Sequence, residues 1–125
     1  MDNVKRQIGY ACPDTINGRI TGRGVRAAIL DTGAYPHPDF KGRVIGFADM
    51  QHGRCGLYDD SGHGTHVAGI LAGDGKMSGG RYAGMAPGVE LLIVKILDEK
   101  GEGNAMHILR GMEHVRKVNK KNKIA

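Results

Sequence analysis

The segment Val89 to Leu97, dominated by aliphatic side chains, constrains the fold more than any other feature of the sequence. It follows the turn-forming Ala86-Pro87-Gly88 and precedes the polar loop Asp98 to Gly103. A short run rich in aliphatic residues and bounded by turn signals is typical of a strand that is buried on both faces. The segment therefore predicts a central strand of a mostly parallel sheet.

Three further segments predict the elements that surround this strand. Val25 to Leu30 predicts a second buried strand, which ends at Asp31-Thr32-Gly33, and Arg43 to Ala48 predicts a weaker third one. Ser61 to Gly73 begins with glycines and continues with small and aliphatic residues, which indicates a helix. Strands that alternate with helices predict an α/β fold, here a three-layer sandwich around the sheet.

A last helix is predicted after Asn104, whose side chain is a favourable N-cap. Charged residues Arg110, Glu113 and Lys117 occupy one side of this helix. The other side, expected to pack on the sheet, carries apolar residues at steps of three and four: Ala105, Ile108, Leu109, Met112 and Val115. Ile124-Ala125 is expected to begin another strand, so residues 1 to 125 are predicted to form part of one domain, an incomplete fold.

Composition excludes several classes of function. The formal net charge of +5 comes largely from lysines and arginines near the C-terminus, which a solvated helix end explains, so no nucleic-acid partner is expected. No stretch is apolar and long enough for a membrane helix, and no secretion signal is recognised, so a cytoplasmic location is the default expectation. Cys12 and Cys55 are expected to be free thiols, although one disulfide remains an alternative.

Asp31 and His63 are the candidate chemical residues. Asp31 ends a predicted buried strand, where its carboxylate would be held rigidly. His63 lies between Gly62 and Gly64 at the start of a predicted helix, where the glycines would let other groups approach the imidazole closely. A carboxylate that orients an imidazole is a common arrangement for general acid and base chemistry.

Around these two residues the sequence resembles the subtilase family of serine proteases, peptidase family S8, over roughly residues 20 to 118. The matching motifs follow one another in the family's order: Ile29-Leu30-Asp31-Thr32-Gly33, His37-Pro38-Asp39-Phe40, His63-Gly64-Thr65-His66-Val67-Ala68-Gly69, Gly84-Met85-Ala86-Pro87, Val94-Lys95-Ile96-Leu97 and Gly101-Glu102-Gly103. The resemblance implies the N-terminal half of a subtilisin-like catalytic domain.

The resemblance also implies roles. Asp31 would orient His63, which would act as general base toward a serine and then as general acid toward the leaving amine. Leu97 would line the substrate pocket, and Gly101, Glu102 and Gly103 would offer a backbone edge to an extended polypeptide substrate. No cofactor and no metal site are expected in this chain. The resemblance makes calcium possible in the full-length family, since Asp39 matches a position that ligates calcium in some relatives, but the loop Gly73 to Gly80 after the predicted helix differs in length and carries a lysine.

Two further motif residues receive structural expectations. His66 is one helical turn after His63, and without a third ligand it is expected to be a buried structural histidine rather than a metal ligand. Asp59 and Asp60 are expected to form a solvated turn, with a preference for basic substrates as the alternative.

The family's serine motif is not found in the sequence, whose only serines are Ser61 and Ser78. Neither lies in a Gly-Thr-Ser-Met-Ala type of turn. The chain alone is therefore expected to be inactive. It is also expected to be poorly stable, because a parallel sheet normally needs both faces covered and the next strand of this sheet is not found. The alternative to an enzyme is a truncated or split, non-catalytic subtilase fragment that needs a complementary chain, the missing C-terminal half.

A different class of protease must also be considered. The run Leu30-Asp31-Thr32-Gly33-Ala34 is similar to an aspartic-protease loop, in which two chains would share a carboxylate pair. That alternative requires a mostly β fold, which disagrees with the predicted helices.

Overall fold

The computed structural model describes residues 2–10 and 20–122. Its elements are, in chain order, α1 (Asp2–Gln7), β1 (Arg26–Asp31), β2 (Val44–Asp49), α2 (His63–Ala72), β3 (Glu90–Lys95) and α3 (Ala105–Asn122). Two short 3₁₀ turns, Pro38–Phe40 and Lys76–Ser78, lie in the connections. Cys12 and the expected strand start Ile124-Ala125 lie outside the described residues.

The three strands form one parallel sheet in the order β1-β3-β2. The prediction that the segment Val89 to Leu97 forms a central strand is therefore confirmed. Residues of β3 alternate between two cores, as the pleat of a strand requires. Leu91 and Ile93 belong to one core, and Leu92 and Val94 belong to the other.

Helices cover both faces of the sheet, which gives the predicted three layers. Ala68 and Ala72 of α2 are fully buried in the core that contains Ile93. On the opposite face, Val115 and Val118 of α3 pack against the second core. Burying each of the large, fully covered side chains of β3, namely Leu91, Ile93 and Val94, contributes roughly 1.5 to 3 kcal/mol. The α/β class is confirmed, and it excludes the mostly β fold of the aspartic-protease alternative.

The predicted packing face of α3 is largely wrong. Val115 contacts the sheet as expected, but the other four predicted residues are exposed: Ala105, Ile108, Leu109 and Met112. The reason is Gly111, at which an added Cβ would lie 2.6 Å from Cγ2 of Ile96. Without a side chain at this position, the helix backbone approaches the sheet along Gly111, and the wider apolar stripe turns outward. The predicted N-cap is confirmed, since Oδ1 of Asn104 accepts a hydrogen bond from N of His107 at 2.8 Å.

Helix α1 was not predicted from the sequence. Its buried Lys5 donates hydrogen bonds through Nζ to the carbonyl oxygens of Ala83 and Gly84, at 2.6 and 3.1 Å. Tyr10 donates from its hydroxyl to the carbonyl of Met85 at 3.1 Å. These contacts fasten the N-terminal segment to the chain that leads into β3.

Candidate active site

The carboxylate of Asp31 stands at the carboxyl end of β1, next to the central strand. Asp31 is in register with Lys95, the last residue of β3. Its Oδ1 accepts a hydrogen bond from the backbone N of Thr32 at 2.7 Å, and only 13% of its side chain is exposed. Sites in open parallel sheets form beyond the carboxyl ends of the strands, and Asp31 lies at such an edge.

The imidazole of His63 meets this carboxylate. Nδ1 of His63 lies 2.8 Å from Oδ1 of Asp31, a hydrogen-bond distance. His63 is the first residue of α2 and follows Gly62, which has a left-handed φ of 94°. The imidazole side chain is 65% exposed. Because Asp31 uses Nδ1, Nε2 is the ring nitrogen left for a reacting group.

Gly33 and Gly64 bring the two side chains together. An added Cβ at Gly64 would lie 2.1 Å from the carbonyl oxygen of Gly33, a distance that real Cβ atoms do not reach. Gly33 itself has a φ of 119°, and an added Cβ there would lie 2.1 Å from the carbonyl oxygen of Tyr58. The sequence suggested that the glycines beside His63 admit other groups to the imidazole. The structure shows that Gly64 allows the backbone of the turn after β1 to approach, and the close approach of a substrate to the imidazole stays a prediction.

Asp59 holds the start of α2, so the expectation of a solvated turn is wrong for this residue. Its carboxylate accepts hydrogen bonds from the backbone N atoms of Ser61, Gly62 and Thr65 and from the hydroxyls of Thr65 and Thr32. Partial burial alone would raise the pKa of Asp59, but these hydrogen bonds lower it to about 2. The carboxylate therefore caps a helix that has no acidic residue in its first turn.

Asp60 is not a free surface charge either. Its Oδ1 lies 2.6 Å from Nζ of Lys95, and the Lys95 side chain has no exposed surface. Asp60 therefore neutralises a buried cation, which is a structural use of the carboxylate. The alternative preference for basic substrates is a prediction that the structure leaves untested.

The hydrogen bond and the negative charge of Asp31 raise the pKa of His63 above its usual value, and the charge of Asp59 adds to this.

We expect Asp31→Asn to return the His63 pKa toward 6.5, because an amide oxygen can accept from Nδ1 but carries no charge. Because the His63 pKa is higher in the folded chain than in the unfolded one, the protonated imidazole stabilises the fold. This contribution to the free energy of unfolding is complete below pH 6.5 and is lost as the pH rises through the folded-state pKa of His63. A ¹⁵N-detected imidazole titration measures this, and an unchanged His63 pKa in Asp31→Asn would contradict it.

The subtilase family model matches residues 22–125 of this chain. The chain belongs to the subtilase family. It is 49% identical over 107 residues to serine protease AprX of Bacillus subtilis (strain 168), a match that covers 85% of this chain and 24% of AprX. It is 44% identical over 117 residues to intracellular serine protease of Paenibacillus polymyxa, covering 90% of this chain and 35% of that protein.

Solved structures agree with this assignment. The structure of sphericase superposes with a TM-score of 0.71 at 31% identity, over 86% of this chain and 36% of that one. The chain thus has an incomplete subtilisin-like α/β fold. It spans between about a quarter and a third of the length of these relatives.

The expected substrate-binding segment of the subtilase follows β3. Leu97 is half-buried and packs against the second core, and Gly101, Glu102 and Gly103 are exposed in a loop. Asp98 closes this loop: its N donates to the carbonyl of Glu102, and its Oδ1 accepts from the N of Glu102, at 2.8 and 2.9 Å. The loop is not a strand, and both backbone groups of Glu102 are occupied. A role in substrate binding stays a prediction for these four residues.

His66 was expected to be buried, and this is wrong. Helix α2 turns Gly64 and Ala68 toward the sheet, so the His66 side chain is exposed. It lines a groove of about 420 Å³ together with His37. In the part of the chain that the structure describes, no three residues among His, Cys, Asp and Glu are grouped to hold a metal ion.

The environment of Asp39 bears on calcium. Its Oδ1 accepts a hydrogen bond from the backbone N of Met77 at 2.9 Å, and its carbonyl accepts from the N of Asp74 at 3.2 Å and from Nη2 of Arg43. Oδ1 and the carbonyl oxygen of Asp39 thus both accept hydrogen bonds from protein donors. The expectation about calcium at this position stays a prediction.

Two residues that hold the dyad of Asp31 and His63 in place were not among the predicted site residues. They are Thr32 and Lys95, and the sequence signal for Lys95 is a charged residue within the largely aliphatic run Val89 to Leu97. Cys55 is a free, exposed thiol.

Across residues 2–10 and 20–122, no helix has the length and apolar character needed to cross a bilayer.

Proposed function

We propose that this chain supplies the aspartate and histidine of a subtilisin-type serine endopeptidase acting on polypeptides. The observation that carries the proposal is the 2.8 Å contact between Nδ1 of His63 and Oδ1 of Asp31. In this proposal, the Asp31 carboxylate holds the imidazole in the tautomer that carries a proton on Nδ1. Nε2 then accepts the proton of an attacking serine hydroxyl and later donates it to the leaving amine.

Neither serine of the chain is suited to be the nucleophile. Ser61 lies two residues before His63, and its backbone N donates to Asp59 as part of the α2 cap. Ser78 lies in a 3₁₀ turn, where its hydroxyl donates to the carbonyl of Gly75 and accepts from the N of Tyr82. The proposal therefore requires a serine from outside these 125 residues.

The surface of α3 supports a second part of the proposal, namely that the chain acts with a complementary subtilase segment. Met106, Leu109 and Met112 are each more than half exposed along one side of this helix. The edges of the sheet support the same proposal. Within the described residues, β1 and β2 are its edge strands, and the faces and edges of a parallel sheet are normally covered by other parts of the protein. The occupant that fits is the rest of a subtilase, since about two thirds to three quarters of the length of its relatives lies beyond the match.

Complementation tests both parts. We expect the purified chain alone to cleave no peptide and to bind no fluorophosphonate probe, since it lacks a nucleophile. Mixed with the serine-bearing C-terminal segment of AprX, it should support labelling of that serine and peptide cleavage. His63→Ala in this mixture should lower the rate at least about 10²-fold, the usual contribution of general acid-base catalysis.

The matched controls decide the interpretation. Leu109→Glu, on the exposed side of α3, should weaken the complementation while leaving the isolated chain folded. Labelling of the chain on its own would contradict the need for an outside serine. Complementation that is indifferent to His63→Ala would contradict the catalytic role.

A further inference from the structure

Lys95 is a fully buried cation that directly contacts the segments around the proposed dyad. It ends β3, and its side chain has no exposed surface. A buried lysine is costly unless donors and charge are both satisfied, so such a residue calls for an explanation. The explanation lies in where its three protons are directed.

The ammonium donates to three acceptors from three separate segments. Nζ lies 2.8 Å from the carbonyl oxygen of Thr32, directly after Asp31. It lies 2.6 Å from Oδ1 of Asp60, three residues before His63. It lies 2.8 Å from the carbonyl oxygen of Leu97, at the start of the proposed substrate loop. An ammonium has three N–H donors, and all three are used.

A fourth residue, Tyr58, contacts the same ammonium through its ring. Nζ stands 5.2 Å from the ring centroid of Tyr58, within range of a cation-π interaction. The hydroxyl of Tyr58 donates to Oδ2 of Asp49, the last residue of β2, at 2.7 Å. The ends of all three strands and the chain entering α2 are thus linked through one buried nitrogen.

The link to the dyad passes through Thr32. Lys95 fixes the carbonyl of Thr32, whose N donates to Asp31 and whose hydroxyl accepts from the N of Gly64. A shift of the Thr32 backbone would therefore change the position of the Asp31 carboxylate relative to the first turn of α2. Their contact has a tolerance of a few tenths of an ångström.

We propose that Lys95 is a positioning residue: its ammonium sets the distance and angle between Asp31 and His63 by holding Thr32, Asp60 and Leu97 together. The inference rests on the proposed function, because it concerns the geometry of that dyad. It assigns Lys95 no contact with substrate. It also explains why a lysine follows directly after the four aliphatic residues 91–94 of the central strand.

The His63 pKa distinguishes positioning from a simple field effect. If Lys95 acts only through its charge, removing the cation raises the His63 pKa, since a nearby positive charge disfavours the imidazolium. If Lys95 positions the dyad, removing it loosens the contact with Asp31, and the His63 pKa falls. The two explanations predict opposite signs.

The experiment is an imidazole titration of the ¹⁵N-labelled 125-residue chain. We expect Lys95→Met to lower the His63 pKa in the same direction as Asp31→Asn and by a smaller amount. Ile93→Val is the matched control, because Ile93 is a buried residue two positions earlier on the same face of β3. It should destabilise the chain without moving the His63 pKa.

Should Lys95→Met fail to fold, Asp60→Asn provides the second variant, since a third of the Asp60 side chain is exposed. In about 1 M salt, where charges are screened beyond about 3 Å, the field of the lost carboxylate is suppressed but a geometric change is not. A lowered His63 pKa that persists in this salt supports positioning.

Three results would overturn the inference. The first is a His63 pKa that rises or stays constant in Lys95→Met. The second is an Asp60→Asn effect that disappears in salt. In both cases Asp31→Asn still lowers the His63 pKa, so the proposed function survives. The third is an Asp31→Asn variant with an unchanged His63 pKa, which overturns the dyad and the positioning role together.

Discussion

Gly64→Ala is expected to destabilise the chain by about 3 kcal/mol, the upper end of the usual cost of overpacking a core. The added methyl group would meet the carbonyl oxygen of Gly33 at 2.1 Å. This neighbour is backbone at the end of a buried strand, so it cannot turn away as a side chain could. Relief requires α2 to lift from the sheet, which separates His63 from Asp31 and uncovers Ala68.

Gly69→Ala is the matched control for this prediction, because Gly69 lies in the same helix and, apart from its chain neighbours and the helix backbone, no atom lies within 4 Å of an added Cβ. Alanine there should stabilise α2 by about 0.5 to 1 kcal/mol, since it loses less backbone entropy than glycine. The free energy of unfolding in urea measures both variants. Equal values for Gly64→Ala and Gly69→Ala would show that the contact between α2 and the Gly33 turn is not tight.

The sheet could be predicted from the sequence because its strands are short aliphatic runs with turn signals at both ends. The central place of β3 followed from its being the most apolar run, since only a central strand is buried on both faces. The pairing of Asp31 with His63 followed from a resemblance to a family rather than from the residues alone. A strand-ending aspartate and a glycine-flanked histidine lie far apart in the chain, and no local pattern joins them.

The face of α3 could not be predicted, because periodicity marks apolar stripes but does not say which of them is covered. Gly111 determines which side of α3 faces the sheet, because it allows the helix backbone to approach Ile96 closely. A pattern of apolar residues does not mark such a glycine. The prediction that His66 is buried was wrong for a similar reason. The orientation of α2 is set by contacts between its small residues Gly64 and Ala68 and the turn and sheet beneath.

The roles of Asp59 and Asp60 were also hidden in the sequence. Two adjacent acidic residues before a glycine-rich segment are usually a solvated turn. Here their partners, Thr32 and Lys95, are 27 and 35 positions away. Hydrogen bonds between distant segments appear only when the sheet is assembled, so local sequence patterns cannot indicate them.

Asp59→Asn is expected to destabilise the chain by about 2 to 3 kcal/mol at pH 7, because hydrogen bonds to a charged acceptor are worth about 1.5 to 3 kcal/mol. The asparagine would retain one acceptor oxygen and carry an NH₂ group in place of the other. In one orientation of the amide this NH₂ group would face the donors of Thr65, and in the other it would face those of Ser61, Gly62 and Thr32. No acceptor would replace the one lost. Unfolding in urea measures this cost at neutral pH.

The dependence on pH makes the prediction specific to the carboxylate. A folded-state pKa of about 2, below the usual 3.8, means that folding stabilises the ionised form of Asp59. This stabilisation is complete well above pH 3.8 and is lost as the pH falls through about 2. The free-energy difference between the native chain and Asp59→Asn should therefore narrow between pH 5 and pH 2.

A second acidic residue provides the comparison. Asp98 also has a lowered pKa, caused chiefly by the backbone N of Glu102, but it is only partly buried, and the hydrogen bonds that it accepts from the N atoms of Lys100 and Glu102 are exposed to solvent. Asp98→Asn should destabilise the chain much less than Asp59→Asn, because water can satisfy the donors that it leaves. If the Asp59→Asn difference stayed constant down to pH 2, ionisation of Asp59 would not be what caps α2. If the two variants were equally destabilised, the link from Asp59 to Thr32 would contribute nothing to holding α2 against the end of β1.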